Sequence, residues 1–198
     1  MRAIFFDLDG TLLHFTRDYR EVLRDAFADA AGEVPDGAVE RYDETFYEAF
    51  ERCEPDPVRR AFASCETTAE ADALVDALLE SEIATCRPPE RAHEDLSRLA
   101  EEYALGVLTN GVPKWQRAKL RAHGLDDYFD VFVASYEAGA HKPDVAPFRL
   151  AEVRLPAEEY AMVGDADADI DGASAVGWVP HRYDDEGFGD LPAVLEWE

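Results

Sequence analysis

Ala3-Ile4-Phe5-Phe6-Asp7-Leu8-Asp9-Gly10-Thr11 decides how the chain folds. Its uninterrupted apolar run reads as a strand buried on both faces, the kind that parallel sheets contain. The run then turns polar, and Asp7 and Asp9 require water, a metal or a cationic partner. A strand that ends this way belongs at the carboxyl edge of a sheet, where open α/β folds place their ligands.

The rest of the chain supplies the other strands. Apolar strands are predicted at 104–109, 131–135, 160–164 and near 178–182, with helices near 113–123, 144–153 and 170–176 between them. Five short apolar strands joined by helices predict an α/β fold with a doubly wound, parallel, Rossmann-like sheet. A helix presenting Ala92, Leu96, Leu99 and Tyr103 on one face precedes the second strand. Between the first strand and that helix, residues 16–86 read as helix throughout. Thr16 is the expected cap of a helix whose stripe is Tyr19, Val22, Leu23, Ala26, Phe27 and Ala30. Gly32 and Pro35 end it. Asp36 is the expected cap of the next, with Val39, Tyr42, Phe46, Ala49 and Phe50 on its stripe, and Pro55 and Pro57 break that one. Thr67-Thr68-Ala69-Glu70 has the form of a capping box before Leu74, Leu78 and Leu79. The expected division is a core of 1–15 and 87–198 with an all-helical insert, 16–86. The tail from Asp184 to Glu198 carries no readable pattern.

Composition bounds the partners. The 198 residues carry a net charge of −25, and 47% are hydrophobic. Self-repulsion of that size destabilises a compact state in dilute salt, and molar salt screens it over about 3 Å. Arginine outnumbers lysine sixteen to three. Together these point to adaptation to a high-salt, halophilic cytoplasm. The charge argues against nucleic acid or an anionic membrane as partner. Cys53, Cys65 and Cys86 form no Cys-x-x-Cys pair and predict neither a disulfide framework nor a zinc site. With no signal peptide and no apolar run near membrane-spanning length, the expectation is a soluble, cytoplasmic protein.

Four polar clusters fall at predicted strand ends. The first is Asp7-Leu8-Asp9-Gly10-Thr11. The second is Thr109-Asn110-Gly111 before a helix opened by Pro113, where a hydroxyl, backbone N–H groups and a helix N-terminus make an anion cradle. The third is Lys142-Pro143-Asp144, a lysine kept in a chain that prefers arginine, which suggests a need for a compact point charge. The fourth is Gly164-Asp165-Ala166-Asp167-Ala168-Asp169, whose carboxylates suit a hard cation such as Mg²⁺. Two carboxylates about 4 Å apart repel by roughly 4 kcal/mol at an effective dielectric of 20. Asp7, Asp9, Asp165 and Asp169 would therefore crowd together only with a divalent cation and Lys142 among them, and those charges would in turn attract a phosphate. Asp167 and Asp171 read as solvated surface. Arg52, Arg59 and Arg60 read as surface arginines that could alternatively meet a substrate anion.

This set resembles the haloacid dehalogenase superfamily, in the branch with a helical cap inserted after the first motif and with phosphoglycolate phosphatase-like members. The resemblance rests on Asp7-Leu8-Asp9-Gly10-Thr11, Thr109-Asn110-Gly111, Lys142, and Gly164-Asp165 followed by Asp169-Ile170-Asp171-Gly172-Ala173. Gly124-Leu125-Asp126-Asp127-Tyr128-Phe129-Asp130, running on to Ser135, fits the same branch. The resemblance implies a Mg²⁺-dependent phosphatase that hydrolyses a small phosphomonoester through an aspartyl-phosphate. Asp7 would be the nucleophile and Asp9 the general acid and then base. Thr109, Asn110, Gly111 and Lys142 would hold the phosphate, and Lys142 would also pair with Asp7. The metal would bind Asp7, the Asp9 carbonyl and Asp165, with Asp169 supporting it directly or through Lys142 or water. The implied partner is a small phosphorylated metabolite, and the implied assembly a monomer or homodimer. A phosphomutase is the nearest alternative. A dehalogenase is a poorer fit because it needs no acid two residues after the nucleophile. A binding protein on the same fold would not need all these side chains.

Overall fold

The computed structural model describes residues 1–184, 187–195 and 197. Its elements in chain order are β1 (Arg2–Phe6), β2 (His14–Phe15), α1 (Tyr19–Ala31), α2 (Ala38–Glu51), α3 (Pro57–Ala63), α4 (Ala71–Thr85), β3 (Cys86–Arg87), α5 (Ala92–Ala100), β4 (Ala104–Thr109), α6 (Pro113–Ala122), β5 (Val131–Ala134), α7 (Ser135–Ala138), α8 (Val145–Arg154), β6 (Glu159–Gly164), α9 (Asp167–Val176) and β7 (Val179–Arg182). The chain divides into two compact units, Met1–His14 with Arg87–Glu198, and Phe15–Cys86.

The first unit is a five-stranded sheet in the order β5-β4-β1-β6-β7, with every pairing parallel. The most apolar strand takes the centre, because a strand with neighbours on both edges and helices on both faces has no contact with water. Ile4, Phe5 and Phe6 are fully buried. Their side chains alternate between the two faces. Phe5 lies on the face that Phe148 of α8, Ala173 of α9 and Trp178 cover. Its ring centroid is 5.0 Å from that of Trp178, and Trp178 stacks on Tyr160 at 4.8 Å. Phe6 packs on the other face against Phe129 and Phe188, so part of the unreadable tail completes the core there. Asp95 and Arg98 of α5 tie that tail down. The Phe188 N–H donates to the buried Asp95 carboxylate, and the Arg98 guanidinium donates to the Phe188 and Gly189 carbonyls.

Gly106 in β4 is paired with Phe5, and a Cβ there would sit 2.3 Å from the Phe5 ring. Glycine in a strand marks such a close approach. Gly106→Ala is expected to destabilise the fold by about 1–3 kcal/mol through overpacking, read as a lower urea midpoint with an unchanged slope.

The second unit is helical. Val22, Leu23, Ala26 and Phe27 of α1 are buried together with Val39, Tyr42 and Ala49 of α2, Phe62 of α3, and Leu74 and Leu78 of α4. Phe62 joins two of these helices, packing on Phe27 of α1 and Tyr42 of α2 at centroid distances of 5.3 and 4.6 Å. Gly32, with φ 79°, closes α1 as expected.

Three expected caps are corrected. Thr16 does not cap α1, because its N–H and hydroxyl both donate to the Thr85 carbonyl. Asp18 caps instead, accepting the Arg20 N–H at 2.9 Å. Asp36 does not cap α2; Gly37, at φ 69°, occupies that position with no side-chain bond. The box at Thr67–Glu70 does not form, because the Thr67 hydroxyl accepts the N–H of Ala69 in a local turn, a competition open to short hydroxyl side chains. Arg52, Arg59 and Arg60 are exposed and paired within this unit, with Glu48 and Glu54, Asp72, and Glu54 respectively. No helix among the described residues is long and apolar enough to cross a membrane.

Candidate active site

The parallel sheet carries the ends of β1, β4 and β6 to one edge, and four sequence-distant segments meet there. Asp7 follows β1, Thr109 ends β4, Lys142 lies in the turn before α8, and Asp165 and Asp169 follow β6. Asp7, Asp9, Thr109, Asn110, Lys142 and Asp169 line one cleft of about 180 Å³. A larger hollow of about 710 Å³ lies at the amino ends of β6 and β7. Its carboxylates Glu152, Glu158 and Glu159 are paired with Arg149, the chain's amino terminus and Arg2, so it gathers no free chemistry.

Lys142 sits at the middle of the cluster, with a side chain only 2% exposed. Its Nζ donates to Asp7 Oδ1 at 2.8 Å, Asp169 Oδ1 at 2.5 Å and the Leu108 carbonyl at 2.7 Å. An ammonium has three N–H bonds, and all three are satisfied. Burial works against its charge, but Asp7 and Asp169 outweigh burial and hold its pKa above the ordinary lysine value. Burial acts the other way on Asp7. Desolvation, opposed by the ammonium and reinforced by Asp169 and Asp9, pushes its pKa up to about 6.

The cradle after β4 differs in detail from the expectation. Thr109 is buried, and its Oγ1 accepts from Gln116 Nε2 at 3.2 Å, which leaves its O–H free to donate. The Asn110 amide is engaged with the Lys142 backbone, accepting its N–H at 2.8 Å and donating to its carbonyl at 3.1 Å. Asn110 therefore fixes the lysine's backbone at the rim of the cleft. The Gly111 N–H donates to Ser135 Oγ at 3.0 Å, and that hydroxyl also meets His141 Nδ1 at 2.7 Å. Ser135 and His141 thus brace the segments bearing Gly111 and Lys142.

Asp7, Asp165 and Asp169 each offer a carboxylate oxygen within 4.8 Å of the other two. A set of hard oxygen donors at a strand edge fits Mg²⁺. Within it, both Asp169 oxygens are engaged, one with Lys142 and one with the Ala166 N–H at the start of α9. Asp165 is held through Oδ1 by the Thr11 hydroxyl at 3.2 Å and is otherwise exposed. Asp9 stands outside the group: its Oδ1 accepts from Lys119 Nζ at 2.6 Å and its Oδ2 from Gln116 Nε2 at 2.7 Å.

Lys119 and Gln116 escaped the sequence reading. A signal for Lys119 was present. The chain has three lysines, and Lys114 is exposed, whereas Lys119 and Lys142 are buried against carboxylates of one site. The reasoning that singled out Lys142 applies equally to Lys119. Asp167 lies where expected, exposed and paired with Arg182.

A family model described as haloacid dehalogenase-like hydrolase matches residues 1–177. The chain belongs to the haloacid dehalogenase-like hydrolases. Among curated relatives, phosphoserine phosphatase of Thermus thermophilus is 41% identical over 107 residues, 46% of this chain and 43% of the relative. Pyrophosphatase PpaX of Halalkalibacterium halodurans is 28% identical over 188 residues, 89% of this chain and 80% of the relative. The chain spans less than half the length of the relatives it matches at 41% identity or more. Among solved structures, HAD-hydrolase YfnB of Bacillus subtilis, bound to magnesium, superposes with a TM-score of 0.68 at 25% identity, covering 90% of this chain and 86% of YfnB.

Proposed function

We propose that the chain is a Mg²⁺-dependent phosphatase that hydrolyses a small phosphomonoester through an aspartyl-phosphate on Asp7. The observation that carries this reading is the paired placement of two carboxylates with different surroundings. Asp7 lies buried against Lys142 and beside Asp165 and Asp169, whereas Asp9, two residues on, faces the same cleft outside that group. One carboxylate is placed to attack phosphorus and the other to handle a proton.

In the first step an oxygen of Asp7 attacks the phosphorus and the ester P–O bond breaks. Asp9 gives its proton to the departing alkoxide, so that an alcohol leaves. In the second step Asp9 takes a proton from water, the water oxygen attacks the phosphorus, and the acyl-phosphate bond to Asp7 breaks. Inorganic phosphate and a free carboxylate result. Lys142 keeps Asp7 in place and offsets the charge on the transferring group, and the Thr109 hydroxyl donates to a phosphate oxygen. Phosphoryl transfer depends mainly on such positioning and neutralisation. Mg²⁺, held by Asp7, Asp165 and the Asp9 carbonyl with Asp169 behind them, would supply further neutralisation of phosphate charge.

The phosphatase names of the relatives support the class of reaction. The helical unit Phe15–Cys86 serves on this reading as the cap that selects the substrate. The acidic composition and the match to a Halopiger xanaduensis phosphatase support a high-salt setting.

The test is a phosphate-release screen over small phosphomonoesters in molar KCl. Release with Mg²⁺, lost in EDTA by a factor of at least about 10² and restored by added Mg²⁺, is the expected outcome. Transfer of phosphate between positions of a sugar, with none released, would replace the reading by a phosphomutase. Release unaffected by EDTA would remove the metal from it.

A further inference from the structure

The turn that bears Asp9 points its side chain at α6, not at the three clustered carboxylates. Gln116 and Lys119 lie three residues apart on that helix and so share a face. They take one Asp9 oxygen each, at 2.7 and 2.6 Å. Both donors are buried, with Gln116 at 4% and Lys119 at 2% exposure, whereas the Asp9 side chain is 37% exposed. A carboxylate that open to water would otherwise sample several rotamers.

The same Gln116 amide nitrogen also lies within hydrogen-bond distance of Thr109 Oγ1 at 3.2 Å and the Asn110 carbonyl at 3.3 Å, so one side chain joins Asp9 to the anion cradle. It fits there only because residue 111 has no side chain: a Cβ on Gly111 would come 2.7 Å from Gln116 Cγ. Lysine is rare in this chain, and an ammonium buried at this point is costly unless it answers a charge.

We propose that Gln116 and Lys119 are positioning residues that clamp the Asp9 carboxyl group by one lone pair on each oxygen and leave the second lone pair of Oδ2, the oxygen not facing the ammonium, to carry the proton that passes to the leaving-group oxygen. The proposal rests on the phosphatase reading and deepens it. The clamp acts on proton transfer through Asp9, so that part of its effect must scale with how much the departing group needs a proton. A 4-nitrophenolate leaves without one, and a simple alkoxide does not.

The experiment compares kcat/KM, which reports transfer to Asp7, for 4-nitrophenyl phosphate and for the best alkyl phosphate of the screen, in wild type, Lys119→Met and Gln116→Leu. Each variant is expected to lose about 10²-fold on the alkyl ester, the penalty for misplacing a catalytic group by about 1 Å. On 4-nitrophenyl phosphate Lys119→Met is expected to lose less than about 3-fold, whereas Gln116→Leu, which also removes the contact to Thr109, is expected to lose part of its activity there but at least about 10-fold less than on the alkyl ester. In an Asp9→Asn background Lys119→Met should add no further loss on the alkyl ester. Retained turnover of the aryl ester shows that the variant is folded, and the uncharged Gln116→Leu gives a second reading independent of the ion pair. Equal losses on both esters, no loss on either, or a full additional loss in the Asp9→Asn background each overturn the clamp and leave the phosphatase reading standing. Failure of the wild type to release phosphate from any ester overturns both.

Discussion

Asp7→Asn is expected to reduce phosphate release by at least roughly 10⁴-fold, as removal of a nucleophile does in enzymes that work through a covalent intermediate. Asparagine keeps the shape of the side chain and removes the charge and the attacking oxygen. It also lowers the negative charge of the carboxylate cluster while leaving Asp165 and Asp169 in place. Lys142 keeps Asp169 and the Leu108 carbonyl as partners, so the variant should stay folded. Two measurements check this. Phosphate release is followed with the best substrate of the screen. Mass spectrometry after an acid quench should find one phosphoryl group on the wild-type peptide that contains Asp7, and none on the variant. Substantial turnover by Asp7→Asn would remove this residue from the chemistry.

The second large effect is expected for Lys142→Met, on stability as well as rate. Methionine fills a similar volume and carries no charge. The buried carboxylates Asp7 and Asp169 would then face each other without their cation, and the Leu108 carbonyl would lose a donor. Removing one partner of a buried ion pair costs about 3–5 kcal/mol. For a chain of this size that corresponds to a fall in Tm of roughly 6–20 °C. Activity should fall on the order of 10²–10³-fold, the usual cost of losing one preorganised donor to a charged transition state. Lys142→Arg should not restore it. The present site offers three acceptors around one nitrogen, and a planar guanidinium on a longer stem cannot meet them in that geometry. Thermal unfolding followed by circular dichroism gives the first number and phosphate release the second. An unchanged Tm would show that the ammonium is not what holds these carboxylates together.

Much of the core was legible because its strands announce themselves. Ala104–Thr109 was predicted and found with the same bounds, and Ile4–Phe6 is buried on both faces as a continuous apolar run requires. Three of the four clusters sit where their strand ends, since parallel strands all deliver their carboxyl ends to one side; Lys142 does not follow a strand directly but comes from the turn between α7 and α8, beyond the end of β5. Details that depend on competition between hydrogen bonds were not legible. Asp18 caps α1 because the Thr85 carbonyl, distant in sequence, claims Thr16. The Asn110 amide is drawn to the Lys142 backbone and the Gly111 N–H to Ser135, partners 32 and 24 residues away. The helix after β6 begins at Asp167, earlier than its apolar pattern suggested, because the Asp169 carboxylate accepts the Ala166 N–H and starts the first turn. The grip of Lys119 on Asp9 spans 110 residues, and only the scarcity of lysine hinted at it.

The bonds from Thr16 to the Thr85 carbonyl bring both ends of the helical unit to a single seam. A stretch whose ends meet presents the remainder of the chain with the same junction whatever its length. The entropy of closing such a loop grows only with the logarithm of its size, about 0.6 kcal/mol for each doubling. Evolution can therefore lengthen, shorten or replace what lies between Thr16 and Thr85 without renegotiating the register of the strands that carry the chemistry.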